Sequence, residues 1–400
     1  MPTLDWIGKD KVINHHNDVP YKVLERKYSF DESGMHKEDI HSNNMIIHGD
    51  NLEALKSLLP QYEGKIKCIY IDPPYNTGNE GWIYNDNVND PKIKKWLGEV
   101  VGKEGEDLSR HDKWLCMMYP RLVLLQKLLA DDGAIFISID DNEHANLLLV
   151  CNEVFGSNNF IQDIIWNKRV SPARDAKFFS TDHEYILVYS KNKESLTTHF
   201  LPRTEKNNSY YKNPDNDPRG PWNSAAYTCN KSRDERPNLY YPITNPYTGE
   251  KIFPKESAVW AYSEETYQQH VRDNLLYWGV NGEAKQPRKK AFLSEVGDVV
   301  PRSVWSHSDV GSTQKATMEN NTIFNMRAFS YPKVSTLVER IIQIASDKDS
   351  IVLDSFAGSG TTAHAVLNMN KSDGGNRKFI LVEMGDYADT ITAERSSSLL

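Results

Sequence analysis

The chain of 400 residues contains no run of about 18 apolar residues, so no membrane-spanning helix is predicted. Its N-terminus lacks the basic start and the apolar core of a signal peptide, and none is predicted. Cysteine is scarce, and the four residues present form neither a CxxC pair nor a disulfide framework. This scarcity predicts the reducing environment of the cytoplasm. Histidine and cysteine do not cluster, so no metal site is predicted.

Positive charge is also lacking overall, because 55 Asp and Glu outweigh 47 Lys and Arg and give a net charge of −8. The distribution is uneven, however. Residues 160–333 contain 24 basic and 20 acidic side chains, which makes this middle part basic relative to its flanks. Attraction to phosphate depends on a locally basic face rather than on total charge. Chance clustering produces the same pattern, so charge leaves a nucleic-acid partner open.

Two polar segments stand directly after short apolar runs. The first, Asp-Pro-Pro-Tyr at 72–75, follows the run at 69–71. The second, Asp-Ser-Phe-Ala-Gly-Ser-Gly-Thr-Thr at 354–362, follows the run at 351–353. Each pattern predicts a buried strand that ends in a loop with polar groups. Open α/β sheets bind their ligands at the carboxyl ends of the strands, so both segments are predicted to belong to a functional site.

The rest of the chain outlines an α/β domain with an insertion of different texture. Residues 45–71 predict a strand, a helix and a strand, the unit of a parallel sheet. Residues 76–110 are predicted to form a long loop. From about 200 to 325 helical periodicity fades and turn signals crowd together, which predicts an inserted module of short strands and loops. The other predicted elements are helices at 114–129, after 143 to about 154, at 334–345 and at 361–368, and strands at 134–139, 161–166, 185–189, 351–354 and 378–382.

The first segment resembles the catalytic loop of DNA amino-methyltransferases, and the second resembles their S-adenosylmethionine loop. Because the catalytic loop comes first, the chain resembles the circularly permuted beta class of DNA adenine N6-methyltransferases. In particular, it resembles the modification (Mod) subunit of type III restriction-modification systems. A third match, Phe-Ser-Tyr-Pro-Lys at 329–333, is similar to the Phe-x-x-Pro-Lys-Pro motif upstream of the glycine loop, with Val334 in place of the last proline. The resemblance covers about residues 45–395.

The resemblance implies an α/β, Rossmann-like fold of S-adenosylmethionine-dependent methyltransferases. Its sheet is expected to be circularly permuted, mixed and mostly parallel, with an inserted target-recognition domain. The expected parts are an N-terminal arm (1–43), the catalytic half of the methyltransferase domain (44–199), the target-recognition domain (200–325), the cofactor-binding half (326–395) and a C-terminus (396–400) that is expected to be truncated.

The resemblance assigns catalysis to Asp72, Pro73, Pro74 and Tyr75. An adenine amino nitrogen is a poor nucleophile because its lone pair is delocalised into the ring, and acceptors on its two hydrogens favour a more tetrahedral nitrogen. The Asp72 carboxylate and the Pro73 carbonyl are the expected acceptors. The two prolines stiffen the loop and leave its carbonyls pointing outward, unpaired. Tyr75 is expected to stack on the target base, a contact worth about 1–3 kcal/mol, after the base has left the duplex.

The cofactor that the resemblance implies is S-adenosylmethionine. Residues expected to bind it are Asp50, Asp72, Lys333, Asp354, Phe356, Gly358, Gly360, Thr361 and Glu383. Among these, Glu383 suits the ribose hydroxyls, and Lys333 is expected to reach the cofactor carboxylate. Asp50 is equally suited to cap a helix, and Lys333 to begin one in solvent. A dinucleotide site is the alternative for the glycine loop, but Asp-x-Phe-x-Gly-x-Gly differs from Gly-x-Gly-x-x-Gly.

Double-stranded DNA is the expected substrate, and its recognition falls to the 200–325 block. The candidates for phosphate contacts, which position DNA but do not specify sequence, are Lys285, Arg288, Lys289 and Lys290; a solvated surface cluster is the alternative. A homodimer and a restriction subunit with helicase and nuclease activity are the implied protein partners. Aspartate as the first residue of the catalytic loop favours adenine, because cytosine enzymes of the amino class more often have serine there. N4-cytosine methylation and a DNA-recognition subunit without catalysis are the alternative functions.

Overall fold

The computed structural model describes residues 3–77, 91–102 and 109–399, with only the backbone described for residues 91–94. The chain divides into two compact units, one made of Met1–His199 with Pro301–Leu400 and the other of Phe200–Val300. The second unit is shorter than the 200–325 block expected from the sequence. Residues 301–325 belong to the first unit, to which they add an edge strand and a helix. Among the described residues, no helix has the length and apolar content needed to cross a membrane.

An eight-stranded sheet forms the centre of the first unit. Its middle strands arise from apolar runs that are buried almost throughout. Seven of the eight were predicted from the sequence to within a few residues, and only the two-residue edge strand β6 was not. In chain order the strands are β1 (Met45–His48), β2 (Ile66–Ile71), β3 (Leu129–Ile139), β4 (Phe160–Asn167), β5 (His183–Ser190), β6 (Val304–Trp305), β7 (Ile351–Asp354) and β8 (Lys378–Glu383).

The order of the strands across this sheet is β6-β4-β5-β3-β2-β7-β8-β1. Neighbours are parallel except at β5, which runs against both β4 and β3. Near the chain ends, β8 pairs with β1, and Glu383 lies opposite His48. The N-terminal and C-terminal parts therefore build one continuous sheet. This confirms the mixed, mostly parallel and circularly permuted Rossmann-like fold.

Five of the seven longer helices described in the first unit lie close to where the sequence predicts them, whereas the helix Thr313–Phe324 falls in the block that was predicted to form short strands and loops. The helix α3 (Arg110–Leu128) begins four residues earlier than predicted because Ser109 and Asp112 form a capping box, in which Asp112 N donates to Ser109 Oγ at 3.2 Å. A helix also occupies part of the loop predicted at 76–110, and residues 78–90 and 103–108 of that loop lie outside the described residues. The longer helices are α1 (Asn51–Tyr62), α2 (Pro91–Val100), α3 (Arg110–Leu128), α4 (His144–Cys151), α5 (Thr313–Phe324), α6 (Ser335–Ala345) and α7 (Thr361–Asp373).

The N-terminal segment packs on the first unit. Trp6, Val12 and Val19 are buried members of its apolar core. The Lys9 ammonium forms an ion pair with Glu153 at 2.8 Å. Short elements of the first unit are the helical turns Lys9–Val12, His15–Asp18, Asn152–Gly156, Ser157–Asn159, His307–Val310, Ala388–Ala393 and Glu394–Ser397, and the hairpin Ser29–Asp31 with Gly34–His36.

The second unit consists of short antiparallel strands and turns around an aromatic core. A three-stranded sheet has Arg288–Phe292 in the middle, between Leu276–Tyr277 and Trp222–Ala226. The core residues are Tyr227, Tyr241, Ile243, Trp260 and Tyr267. The remaining elements are the strands Thr228–Cys229, Ile243–Thr244, Lys251–Ile252 and Val259–Trp260, and the helices Glu205–Asn208, Pro237–Leu239, Glu264–Arg272 and Leu293–Glu295.

Lys290 is a structural residue of the second unit, which corrects the expectation that it contacts phosphate. Its side chain is 1% exposed, and its ammonium lies 2.5 Å from Asp215 and 2.8 Å from Asp217. Successive residues of a strand point to opposite faces of the sheet. Lys290 therefore points inward, and its neighbour Lys289 points to the opposite face. A buried ammonium requires charged partners, and the two aspartates supply them.

Replacing Lys290 with methionine is expected to destabilise the second unit. The substitution removes the Lys290 ammonium from Asp215 and from the buried Asp217, while the Arg219 guanidinium still pairs with Asp217 at 2.8 Å. Loss of these charge-assisted hydrogen bonds is expected to cost about 1.5–3 kcal/mol. Chemical denaturation of Lys290→Met measures this loss. Lys285→Met is the control, because Lys285 is exposed and should change the unfolding free energy by less than about 0.5 kcal/mol. Equal stability of the two variants would contradict the structural role.

Candidate functional site

Three buried carboxylates meet at one edge of the central sheet. Asp72, Asp354 and Glu383 stand at the carboxyl ends of β2, β7 and β8, and their exposed fractions are 6%, 2% and 5%. These strands are parallel neighbours, so their carboxyl ends reach the same edge. The two segments that the sequence singled out therefore lie side by side, although they are far apart in the chain.

Lys333 is the direct partner of Asp72. Its ammonium lies 2.8 Å from both carboxylate oxygens and donates to the Tyr75 hydroxyl at 2.9 Å. It also lies 4.8 Å from the centre of the Tyr75 ring. Burial raises the pKa of Asp72, and Lys333 works against this rise. The sequence placed Lys333 near a cofactor carboxylate, whereas in the structure it holds the carboxylate of the catalytic segment.

Glu184 belongs to the same cluster, and sequence reasoning did not assign it to the site. It accepts a hydrogen bond from the Tyr75 hydroxyl at 3.0 Å and one from the Lys168 ammonium at 2.8 Å. Lys333 lies 3.5 Å away. Burial alone would raise the pKa of Glu184, but the two lysines hold it below its usual value. The feature of the sequence that could have identified Glu184 is its position at the start of β5. Because β5 is antiparallel to both of its neighbours, its first residues lie at the edge where the neighbouring strand β4 ends.

The catalytic segment is held from behind by α3. The Trp114 indole donates to the Pro74 carbonyl at 2.6 Å, so this carbonyl is paired and does not point outward as expected. Asn76 follows the segment with φ of 58°, a left-handed conformation that asparagine tolerates. Its amide donates to Glu143 and, at 3.2 Å, to the Arg110 carbonyl. Pro74 and Asn76 are therefore both held in place by hydrogen bonds.

The glycine loop is closed by hydrogen bonds to the carboxylates on either side. Asp354 accepts from the Phe356 backbone at 3.0 Å and from the Thr362 hydroxyl at 2.5 Å. The Gly358 backbone donates to Glu383 at 2.7 Å. Gly358 and Gly360 have φ of 52° and 80°, which side chains with a Cβ rarely adopt. The two glycines of the loop therefore stand at positions where the backbone conformation favours a residue without a Cβ.

Arg395 supports the glycine loop from beneath, and the sequence did not suggest this. Its guanidinium donates to the hydroxyls of Ser359 and Thr361 at 2.9 Å each. It also forms a 2.9 Å ion pair with Glu319 of α5. Thr361 in turn donates to the Lys333 carbonyl at 3.1 Å, which ties the glycine loop to the segment that carries Lys333.

Asp50 caps a helix in the structure, which was one of its two expected roles. Its carboxylate accepts from the backbone of Leu52 at 2.9 Å and of Glu53 at 3.2 Å. The neighbouring Asn51 donates to the Ser355 carbonyl at 3.1 Å and so connects α1 to the glycine loop. Phe356 is partly buried and packs against the main apolar core.

The edge of the sheet that carries Asp72, Asp354 and Glu383 favours a positively charged organic ligand. Burial, together with the nearby charges of Asp72 and Glu383, raises the pKa of Asp354 to about 7. Burial also raises the pKa of Glu383. S-adenosylmethionine carries a sulfonium and an ammonium group, and both would relieve this accumulation of negative charge. The buried Ser355 hydroxyl, which has no hydrogen-bond partner within the described part of the chain, adds a free polar group at the same loop.

In the described ranges, no group of three or more His, Cys, Asp and Glu side chains is arranged to hold a metal ion.

Comparison with known proteins gives consistent matches over nearly the whole chain. Residues 66–394 match the N6/N4 family model, whose description is DNA methylase. The chain is 36% identical over 392 residues to the type III restriction-modification enzyme StyLTI Mod subunit of Salmonella typhimurium strain LT2, covering 94% of this chain and 57% of that protein. It is 32% identical to the EcoPI Mod subunit of Escherichia phage P1, covering 95% of this chain and 63% of that protein.

A relative of more similar length is the type II methyltransferase M.KpnI of Klebsiella pneumoniae. It is 33% identical, and the alignment covers 86% of this chain and 81% of that protein. The chain spans about six-tenths of the length of the two Mod subunits.

The raised pKa of Asp354 predicts a stability that falls as pH rises. Its folded-state pKa of about 7 exceeds the ordinary value of 3.8, so the neutral carboxyl stabilises the fold below about pH 4 and this contribution is lost through about pH 7. Asp354→Asn stays neutral and should therefore gain stability relative to the unmodified protein between pH 5 and 8, by at most about 3 kcal/mol. Chemical denaturation at both pH values tests this. The exposed Asp349→Asn is the control, and parallel pH dependence of all three proteins would contradict the assignment.

Proposed function

The chain belongs to the N6/N4 family of DNA methylases, and on this premise we propose that it transfers a methyl group from S-adenosylmethionine to the N6 amino group of adenine in double-stranded DNA. The observation that carries the proposal is the adjacency of two loops. The Asp72–Tyr75 segment and the glycine loop end neighbouring parallel strands, and Lys333 with Thr361 connects them.

In the proposed reaction Asp72 accepts a hydrogen bond from the target amino group. Its oxygens now accept from the Lys333 ammonium at 2.8 Å, so the carboxylate is positioned for a nitrogen donor. The amino group of the target base would replace the Lys333 ammonium as a hydrogen-bond donor to Asp72. Glu184, 3.5 Å from Lys333, offers the displaced ammonium a second carboxylate. The Tyr75 ring, which packs against the same ammonium, supplies the flat face for the extruded base.

The cofactor supplies a methyl group already activated by a sulfonium sulfur, so positioning accounts for most of the catalysis. Asp354 and Glu383 are proposed to hold its cationic and hydroxyl groups. Gly358 and Gly360 allow the backbone to approach it, and Thr361 begins the helix below. Phe356 and Asp50 complete the proposed contacts, whereas the Lys333 ammonium, which pairs with Asp72, serves the catalytic segment.

Adenine is favoured over cytosine by the aspartate at position 72, and N4-cytosine methylation is the second candidate because the family model covers both targets. We place sequence recognition in the second unit, Phe200–Val300. Lys285, Arg288 and Lys289 remain candidates for phosphate contacts, although Arg288 also binds Ser224 through its guanidinium. By analogy with the Mod subunits among its relatives, a second copy of the chain and a restriction subunit are the proposed protein partners, and the cytoplasm is the proposed location.

Asp72→Asn is expected to reduce methyl transfer at least about a hundredfold, because the amide lacks the charge that strengthens the hydrogen bond to the target nitrogen. S-adenosylmethionine binding should change little. Tyr75→Ala should also be inactive, whereas Tyr75→Trp should keep measurable activity because it retains a flat stacking face. Mass spectrometry of nucleosides from treated DNA measures the rate and distinguishes N6-methyladenine from N4-methylcytosine. Near-normal turnover of Asp72→Asn would reject the proposed role.

Gly358→Val is expected to abolish S-adenosylmethionine binding, because a β-branched residue cannot easily adopt φ of 52° and would displace the loop. Glu383→Gln should weaken binding at least about tenfold through loss of charge-assisted hydrogen bonds. Calorimetry measures both affinities. Gly374→Val is the matched control, because Gly374 also has positive φ but lies in open space at the end of α7. Unchanged affinity in the first two variants would show that the glycine loop does not bind this cofactor.

A further inference from the structure

The segment at 168–182, here named the 168–182 loop, connects β4 to β5 at the edge that carries the site. β4 runs in the same direction as β2, so its last residue reaches the edge where Asp72 lies. At the base of the loop, Lys168 donates to Glu184 at 2.8 Å, and Glu184 accepts from Tyr75. The loop is therefore attached directly to the residues around the catalytic segment.

The tip of this loop exposes two adjacent phenylalanines. Phe178 is 81% exposed and Phe179 is 92% exposed. Single exposed apolar residues are ordinary on protein surfaces, but an adjacent pair of large rings forgoes about 1.5–3 kcal/mol of burial each. The loop contains four basic residues against the acidic Asp175 and Asp182, and the basic ones are Lys168, Arg169, Arg174 and Lys177.

Hydrogen bonds across the loop hold the tip away from its base. The Lys168 backbone donates to the Asp182 carbonyl at 2.9 Å. Further out, the Ala173 backbone donates to the Ser180 hydroxyl at 2.6 Å, and this hydroxyl also contacts Asp182. Phe178 and Phe179 lie beyond this second closure, so the loop presents them at its end.

We propose that the 168–182 loop binds DNA beside the catalytic segment and that Phe178 and Phe179 insert into the base stack next to the extruded base. This inference rests on the proposed function. Extrusion of a base leaves a gap in the duplex and costs a few kcal/mol of stacking and pairing. Apolar side chains insert between base steps in other DNA-binding proteins, and here they would occupy the gap that extrusion leaves, while neighbouring basic residues neutralise phosphates.

The position of the loop favours DNA over a protein occupant. Phe179 is five residues from Glu184, so the chain between them spans at most about 18 Å, a distance of about five stacked base pairs. The rings therefore lie within about five base pairs of the residues around the catalytic segment, close enough to contact DNA bound there. The basic excess of the loop suits phosphate, whereas the net charge of −8 of a second copy of the chain gives it no preference for the apolar rings themselves.

The test uses the double variant Phe178→Ala/Phe179→Ala on two duplexes. The recognition site is first read by methylation-sensitive sequencing of DNA from cells that express the chain. One duplex then carries the target adenine in a normal pair, and the other carries it opposite an abasic site, where extrusion is easier. We expect kcat/KM of the double variant to fall at least about tenfold on the paired duplex and to stay within about threefold of the unmodified protein on the abasic duplex.

Two controls make the result specific. Val23→Ala removes an apolar side chain that is 93% exposed in the same unit, and it should leave both rates unchanged. Phe178→Trp/Phe179→Trp should restore most of the activity, because tryptophan also offers a flat apolar wedge. Thermal unfolding should be the same for all variants, since the altered residues are exposed.

Each other outcome overturns a defined part of the inference. Equal loss on both duplexes would mean that the loop only adds affinity for DNA and is not a wedge. Unchanged rates on both would remove the loop from DNA binding, and unchanged rates with loss of self-association in sedimentation would assign the rings to a second copy. If the unmodified protein methylates neither duplex, the proposed function itself fails, whereas normal methylation by the double variant rejects the wedge alone.

Discussion

The site depends on the balance of buried charge at one edge of the sheet. Asp72, Asp354 and Glu383 are all buried there, and a buried carboxylate is costly unless charged or hydrogen-bonding partners surround it. Backbone and hydroxyl donors supply these partners at Asp354 and Glu383, and the Lys333 ammonium supplies them at Asp72. Lys333 and Asp72 come from opposite halves of the first unit. Their ion pair therefore compensates the charge of Asp72 and joins the two halves of the site.

The sheet explains why residues so distant in sequence meet. Parallel pairing of β2, β7 and β8 brings their carboxyl ends together, whatever the order in which the chain visits the strands. Pairing of β8 with β1 joins the C-terminal part to the N-terminal part by hydrogen bonds in place of a covalent connection. The single reversed strand, β5, begins at this edge instead of ending there, and for that reason Glu184 reaches Tyr75.

The second unit shows how local sequence can mislead. Arg288, Lys289 and Lys290 form a continuous basic run in the sequence, but in the structure they occupy one strand and alternate between its faces. Arg288 and Lys290 share one face, yet Arg288, at the start of the strand, is exposed, whereas Lys290 is buried against two aspartates from a turn more than 70 residues earlier. The same run therefore contains a candidate for DNA contact and a residue of the core, and only the position of the aspartates distinguishes them.

The sequence by itself determined seven of the eight strands of the central sheet, the two loops at their ends and the family, because apolar runs, turn residues and loop motifs are properties of consecutive residues. It also carried the permuted order of the strands. The partner of Lys333, the entry of Glu184 into the site, the support of the glycine loop by Arg395 and the end of the second unit at Val300 were decided only by the tertiary structure. These features depend on which side chains approach across tens to hundreds of residues. Such contacts exist only after the strands have paired and a low-dielectric edge has formed, in which each charge must find a partner.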